Sequence, residues 1–406
     1  MRTVIHAAIA ALLVFGSMSA SAADDKAMAH ARELAKQGIV FDGHNDLPWA
    51  IRNYEPAPSD VNAYDLRTRA PGNGQTDIPR LRAGGVGAQF WSVYTPGEAK
   101  GDYAKTQLEQ IDIARRVIDR YPDTFQLALT AADVRAARAK GRIASLLGME
   151  GGHAIEDSLA LLRTYYDLGV RYMTLTHNTN TSWADSAAQL PAEHGGLSPF
   201  GEQVVREMNR LGMLVDLSHV SPETMDDALR VSQAPVIFSH SSAKALCNVP
   251  RDVPDDILRR VKANGGVVMV TFVAGFINPE VAKVTQPAME ELNRRLKEVQ
   301  KPEEREALEK EIFGKLKLPP TTIAMVANHI EHVRDVASID NVGLGGDFDG
   351  NEEWPEGLSD VSMYPNLFAE LIRRGWSDAD IKKLAGGNAL RALEQAEAVA
   401  ARLRKS

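Results

Sequence analysis

The chain reads as an α/β protein of the (β/α)8 TIM-barrel type, and three observations predict it. Eight short apolar runs, rich in β-branched residues or bounded by glycine, recur along its 406 residues. Helical stretches with apolar residues at three- and four-residue spacing lie between them, the alternation that builds parallel sheets. Polar residues able to do chemistry follow the runs closely, and in this fold function sits at the C-terminal rim of the strands.

In chain order, the N-terminus comes first and stands apart. Arg2 precedes an apolar stretch at 7–16 and small residues ending Ala20-Ser21-Ala22. That is the pattern of a cleaved secretory signal peptide over 1–22, and the apolar run is too short for a permanent span. The expected mature chain, 23–406, is exported to the periplasm or outside, soluble and without a stable membrane anchor. No Pro/Ser-rich linker divides it, so one domain is expected. Cleavage removes Arg2 and moves the formal net charge from −8 to −9. An acidic protein of ordinary globular composition has no electrostatic case for nucleic acid or an anionic membrane surface. Cys247 is the only cysteine. No internal disulfide can form, and this thiol reads as a small buried hydrophobe.

The first run, IVFDGHND at 39–46, leads into a stretch at 51–80 rich in Pro, Asn, Asp and Gly that reads as an irregular insertion. VGAQFWSVY at 86–94 follows, then a helix over 105–121. IASLLGMEG at 143–151 precedes a helix over 157–169, and VRYMTLTH at 170–177 precedes one over 200–212. LVDLSH at 214–219, PVIFSH at 235–240 and GVVMVTF at 266–272 come next. A charged helical excursion at 279–320, broken at Pro302 and closed by Pro319-Pro320, reads as a solvated insertion with surface charge pairs. VGLGGDF at 342–348 is the last strand.

These ends deliver His44, Asp46, Glu150, His177, His219, His240 and Asp347. His44 and Asp46 stand two apart on an extended run, so both side chains point the same way and form a chelate. Glu150 closes a buried apolar strand, where a carboxylate is costly unless paired or metal-bound. His219 and His240 close consecutive strands. Five such ligands exceed what one tetrahedral zinc needs. With Glu150 as bridge they suit two ions, His44 and Asp46 completing one site and His219 and His240 the other, about 3.5–4 Å apart in such sites. A water between the ions would supply hydroxide near neutral pH. The fourth of the eight strands ends at His177, with no lysine to be carbamylated as an alternative bridge. His177 could donate to an oxyanion, and Asp347 could shuttle a proton to a leaving amine. Arg251 could clamp a substrate carboxylate. Asp349 reads as a turn residue, and His153, His329 and His332 as structural.

At these residues the chain resembles the renal (membrane) dipeptidase family, zinc peptidases of the amidohydrolase superfamily. The matching words are FDGHNDLPW, GMEGGHAIEDSLALLRTYYDLGVRYMTLTHN, WAD, VDLSHVS, FSHSSAKALC, NVPRDVPDD and GLGGDFDG, continuing through WPEGLSDVSMYPNLFAELIRRGWSDADIKKLAGGNALR. The resemblance covers about residues 38–395. It implies two zinc ions held by His44, Asp46, Glu150, His219 and His240, with substrate roles for His177, Arg251 and Asp347. It also implies hydrolysis of dipeptides by metal-bound hydroxide, tolerance of a D-residue at the C-terminal position, and a homodimer. Three departures stand out: Val273 replaces an expected tyrosine, the excursion at 279–320 is longer than the family's core needs, and the mammalian disulfides and lipid-anchor tail are missing. Two alternatives remain. One is another barrel amidohydrolase activity, such as deacylation of N-acyl-D-amino acids or lactam or lactone opening; replacing Arg251 would hardly matter for a substrate that lacks the carboxylate. The other is a non-catalytic exported peptide-binding protein.

Overall fold

The fold was obtained as a computed structural model that describes residues 24–97, 101–296 and 302–405. The leader expected at 1–22 lies outside the described residues. All named strands are parallel: β1 (Val40–Asn45), β2 (Val86–Tyr94), β3 (Phe125–Leu127), β4 (Ile143–Glu150), β5 (Val170–Thr174), β6 (Leu214–Asp216), β7 (Ile237–Phe238), β8 (Val267–Val270) and β9 (Val342–Leu344). Their order is β1-β2-β4-β5-β6-β7-β8-β9. The ring closes where Asn45 bridges Phe348 in parallel. There Asp46 N donates to Phe348 O at 2.8 Å and Asp347 N to His44 O at 3.1 Å. Closure thus brings together the two loops that carry His44, Asp46 and Asp347.

The eight barrel strands are the eight runs expected from sequence. β3 is the addition. It lies outside the ring order and pairs with Ile143–Ser145 of β4, while β5 pairs with β4 from Leu147 onward. Three residues carry too little alternation to be read as a strand in advance.

The helices between strands begin and end by simple chemistry. The helix Pro199–Leu211 starts with Ser198, whose side chain accepts from Gly201 N, and stops at Gly212 in the left-handed region. Pro222–Val231 opens the same way on Ser221. Buried apolar faces of these helices, among them Val204, Val205 and Met208 and then Met225 and Ala228, join the core around the barrel.

Both insertions carry more structure than composition suggests. The 51–80 stretch is mostly turns between the short helices Leu47–Arg52 and Ile78–Gly84. It is held down by Asp77, which caps Arg80 N at 2.9 Å and pairs with Arg80 Nε at 2.6 Å. The excursion forms the helices Pro279–Leu296 and Pro302–Phe313, so Pro302 starts the second helix. It is not solvated throughout: Val281, Leu292 and Leu308 are buried, while Arg295 and Glu311 pair across the surface at 3.2 Å. Among the described residues no helix is long and apolar enough to cross a membrane.

Candidate active site

The C-terminal ends of β1, β4, β5, β6, β7 and β9 converge on one cluster. Ligand atoms of His44, Asp46 and Glu150 lie within 4.8 Å of one another, as do those of Glu150, His177 and His219, and those of His44, His240 and Asp347. All seven expected strand-end residues therefore meet. Glu150 stands in the middle. Its Oε2 lies 3.4 Å from His44 Nε2, and its Oε1 lies 3.0 Å from His219 Nε2 and 3.5 Å from His240 Nε2. His177 Nε2 is 3.9 Å from the same Oε1, and Asp46 Oδ2 is 3.2 Å from His44 Nε2.

Local backbone makes this convergence possible. His219 and Asp347 both have positive φ, at 66° and 65°, which redirects each side chain just after its strand. Gly350 leaves the space the carboxylates need, since a Cβ there would stand 2.3 Å from Asp46 Oδ2 and 2.7 Å from Asp347 Oδ1. Gly148, two residues before Glu150, makes room for the ring of Tyr172. That ring's hydroxyl then meets His44 Nδ1 at 2.8 Å.

The electrostatics divide three of the four clustered histidines, His44, His219 and His240. Burial and the positive charge of Arg251 hold His219 well below the ordinary imidazole range, and burial, His44 and Arg251 do the same to His240. These two rings are thus neutral, yet their Nε2 atoms face each other at 2.9 Å. Burial also opposes charge on His44, but Tyr172, Asp46 and Glu150 outweigh it and raise its pKa well above normal. Its Nε2 is buried without a well-aligned hydrogen bond. Glu150 would be raised by burial, but His44, His219 and His177 bring it well below the usual carboxylate range. Burial raises Asp347 well above that range, with Asp46 and Glu150 adding to it. Neutral imidazole nitrogens aimed at each other beside buried carboxylates are a donor set that a divalent cation satisfies and hydrogen bonding does not. The residues fit a metal centre.

Arg251 is not a surface arginine. It is 6% exposed, with Nη1 donating to Ser241 Oγ at 2.9 Å and Nη2 to His240 O at 3.1 Å. One face of its guanidinium lies over the ring of Phe276 at 5.4 Å. Phe276 stands three residues after Val273, on the short helix Ala274–Ile277 that follows β8. Asp349 is a turn residue with φ of 64°, and it also accepts from Gln75 N at 2.7 Å, tying the 51–80 insertion to the site. Burial pushes its carboxyl up to about 6. His329 and His332 lie on the helix Ile323–Val336, away from the cluster. His329 accepts from Ala243 N and donates to Ile277 O, while His332 pairs with Asp255. His153 is outside the cluster too. Cys247 is buried with Val249 and Ala282, and burial drives its thiol up to about 12.

The buried supports around the site were missed in sequence. Asp42 accepts from Tyr364 Oη (2.6 Å), Gly346 N (2.7 Å), Gln89 Nε2 (2.8 Å) and His44 N (2.9 Å), tying β1 to the loop after β9. Asp216 accepts from Thr174 Oγ1 and Ser239 Oγ, both at 2.6 Å. Tyr94 flanks His177, with ring centroids 4.7 Å apart. The available signal was position: Asp42 lies two residues before His44, and Asp216 three before His219, inside otherwise apolar runs.

Comparison with known proteins agrees with this geometry. A family model described as membrane dipeptidase (peptidase family M19) matches residues 28–406. Dipeptidase 3 of Rattus norvegicus is 39% identical over 382 residues, which span 93% of this chain and 69% of that protein. The probable dipeptidase PvdM of Pseudomonas aeruginosa superposes with a TM-score of 0.79 at 26% identity, over 92% of this chain and 99% of that one. A metallopeptidase of Rhodobacter sphaeroides, solved with a phosphinate mimic of the dipeptide L-Ala-D-Ala, gives 0.69 at 25% identity, over 88% of this chain and 99% of that one. The chain belongs to the membrane dipeptidase family, peptidase family M19, and is a metallopeptidase of the dipeptidase class.

Proposed function

We propose that the protein is a two-zinc dipeptidase that requires a free C-terminal carboxylate and accepts a D-residue at that position. The observation that carries the two-ion reading is the division of Glu150, one oxygen toward His44 and the other toward His219 and His240. His44, Asp46 and Glu150 would hold one ion, and Glu150, His219 and His240 the other. When bound, such ions polarise the scissile carbonyl and make water acidic enough to attack near neutral pH.

The chain's own residues supply the rest. Arg251 offers a desolvated guanidinium for the carboxylate, which limits substrates to very short peptides. His177, at the rim beside Glu150, donates to the carbonyl oxygen as negative charge develops there. Asp347, buried and of raised pKa, takes a proton from the attacking water and returns it to the departing amine nitrogen. Tolerance of a D-residue is supported by the neighbour that carries a mimic of L-Ala-D-Ala. The leader pattern at 1–22 supports export, where wall-derived peptides of mixed chirality are available substrates.

The test is release of free amino acids from L-L, L-D and D-L dipeptides by zinc-loaded protein, with tripeptide, amidated and N-acyl controls. Turnover of L-L and L-D dipeptides alone supports the reading. Hydrolysis of only amidated or acylated substrates overturns it and leaves a different amidohydrolase.

A further inference from the structure

The three histidines of the expected ligand set, His44, His219 and His240, are held from behind in three different ways. His44 Nδ1 meets a phenol, Tyr172, at 2.8 Å. His219 Nδ1 is buried with no hydrogen-bond partner among the described residues. His240 Nδ1 lies 2.8 Å from Ser239 Oγ, which lies 2.6 Å from Asp216 Oδ2. Only this last chain ends on a carboxylate.

The direction of the chain follows from counting protons. Asp216 is surrounded by donors: Ser218 N at 3.1 Å and Ser239 N at 2.8 Å on Oδ1, with Thr174 Oγ1 and Ser239 Oγ on Oδ2. It is an acceptor only. The single hydroxyl proton of Ser239 is therefore committed to Asp216, the shorter and charge-assisted bond. Ser239 Oγ can then only accept from His240, so the ring proton stands on Nδ1 and the lone pair on Nε2. That lone pair faces Glu150 Oε1 and His219 Nε2.

We propose that Asp216, acting through Ser239, is the positioning residue that sets metal affinity in the His219/His240 half of the site and leaves the His44/Asp46 half unaffected. The inference rests on the two-ion reading above. The two halves need unequal support. The His44 half has both Asp46 and Glu150 within 3.4 Å of its ring nitrogen, whereas in the other half the nearest carboxylate is Glu150, at 3.0 Å from His219 and 3.5 Å from His240, with Asp347 farther out. Arg251 also donates to the backbone oxygen of His240. With His219 unsupported at Nδ1, His240 is the ring whose tautomer is locked, and an outer partner of this kind raises ligand basicity.

The test is ion content and affinity in zinc buffered by a competing chelator, measured by elemental analysis on folded full-length protein. Wild type should hold two ions per chain. Ser239→Ala should keep one at unchanged affinity and bind the other about 10- to 100-fold more weakly, with Ser239→Thr restoring it. Asp216→Asn is the second variant, should Ser239→Ala not fold. Its amide can donate to Ser239, turning the hydroxyl toward His240 and moving the ring proton to Nε2, so it should lose the same ion. His240→Ala should hold one ion, and adding Ser239→Ala to it should change nothing more. Equal weakening of both ions, two tight ions in Ser239→Ala, or a further loss in the double variant overturns the proposal. A wild type that holds fewer than two ions overturns the two-ion reading itself, and the proposal with it.

Discussion

Glu150 Oε1 lies 3.0 Å from His219 Nε2. The other oxygen of the same carboxylate is turned toward His44, so one side chain joins both halves of the cluster. Glu150→Gln keeps the size but replaces one oxygen with an NH2 group that cannot ligate a cation. We expect the variant to lose one of two ions and its kcat to fall more than about 10²-fold, beyond the effect of losing an outer partner. Elemental analysis alongside dipeptide turnover checks both, and an active variant with full ion content would remove Glu150 from the bridge.

Arg251 should read the substrate's carboxylate. Arg251→Lys keeps the charge but loses the two-pronged fork, and Arg251→Ala loses both. Removing one partner of a buried, hydrogen-bonded charge pair costs about 2–5 kcal/mol, so kcat/KM on a dipeptide should drop roughly 30-fold or more in Arg251→Ala. The guanidinium also braces His240 O and Ser241 Oγ, so the informative quantity is a ratio. Preference for a dipeptide over its amide should collapse in the variant. An unchanged preference would place carboxylate recognition elsewhere.

Gly350 is required for space. An added methyl would displace Asp46 or Asp347, because its Cβ would stand 2.3 Å from one carboxylate and 2.7 Å from the other. Misplacing a reacting group by about 1 Å costs about 10²-fold in rate. Gly350→Ala should lose that much kcat with little change in far-UV circular dichroism. Wild-type turnover in this variant would show that the loop yields and that the approach is not critical.

Acid should destabilise the fold through His329. This ring accepts from Ala243 N and donates to Ile277 O, and burial pushes its pKa down to about 4. The unfolded value is about 6.5, so between the two the unfolded chain binds a proton that the folded chain does not. The contribution is therefore complete above about pH 6.5 and is lost as pH falls toward 4, roughly 3 kcal/mol in all. His329→Gln, with one acceptor and one donor but no titration, should unfold in urea with a shallower dependence on pH between 7 and 4.5. Parallel dependences would assign the acid sensitivity to other groups.

The barrel and the cluster were legible for one reason: strands with function at their ends repeat a simple pattern. His44, Glu150, His219 and His240 each stand at or just after an apolar run, and closure of the ring had to bring them together. The supports were illegible for the opposite reason. Asp216 and Asp42 sit within apolar runs as single polar residues, and their partners (Thr174, Ser239, Gln89, Tyr364) come from other strands or helices. β3 was missed because three residues carry no period. The excursion at 279–320 reads as solvated from its composition because charges dominate it, and the buried Val281, Leu292 and Leu308 are spaced too widely to stand out.

Two-ion catalysis is tested most directly by turnover of L-Ala-D-Ala as zinc is returned stepwise to metal-stripped protein, with ions bound per chain measured at each step. Metal-stripped protein should release no alanine, and activity should rise to its full value only as the second ion binds. Full activity at one ion per chain, or turnover that survives complete stripping, would contradict two-ion catalysis.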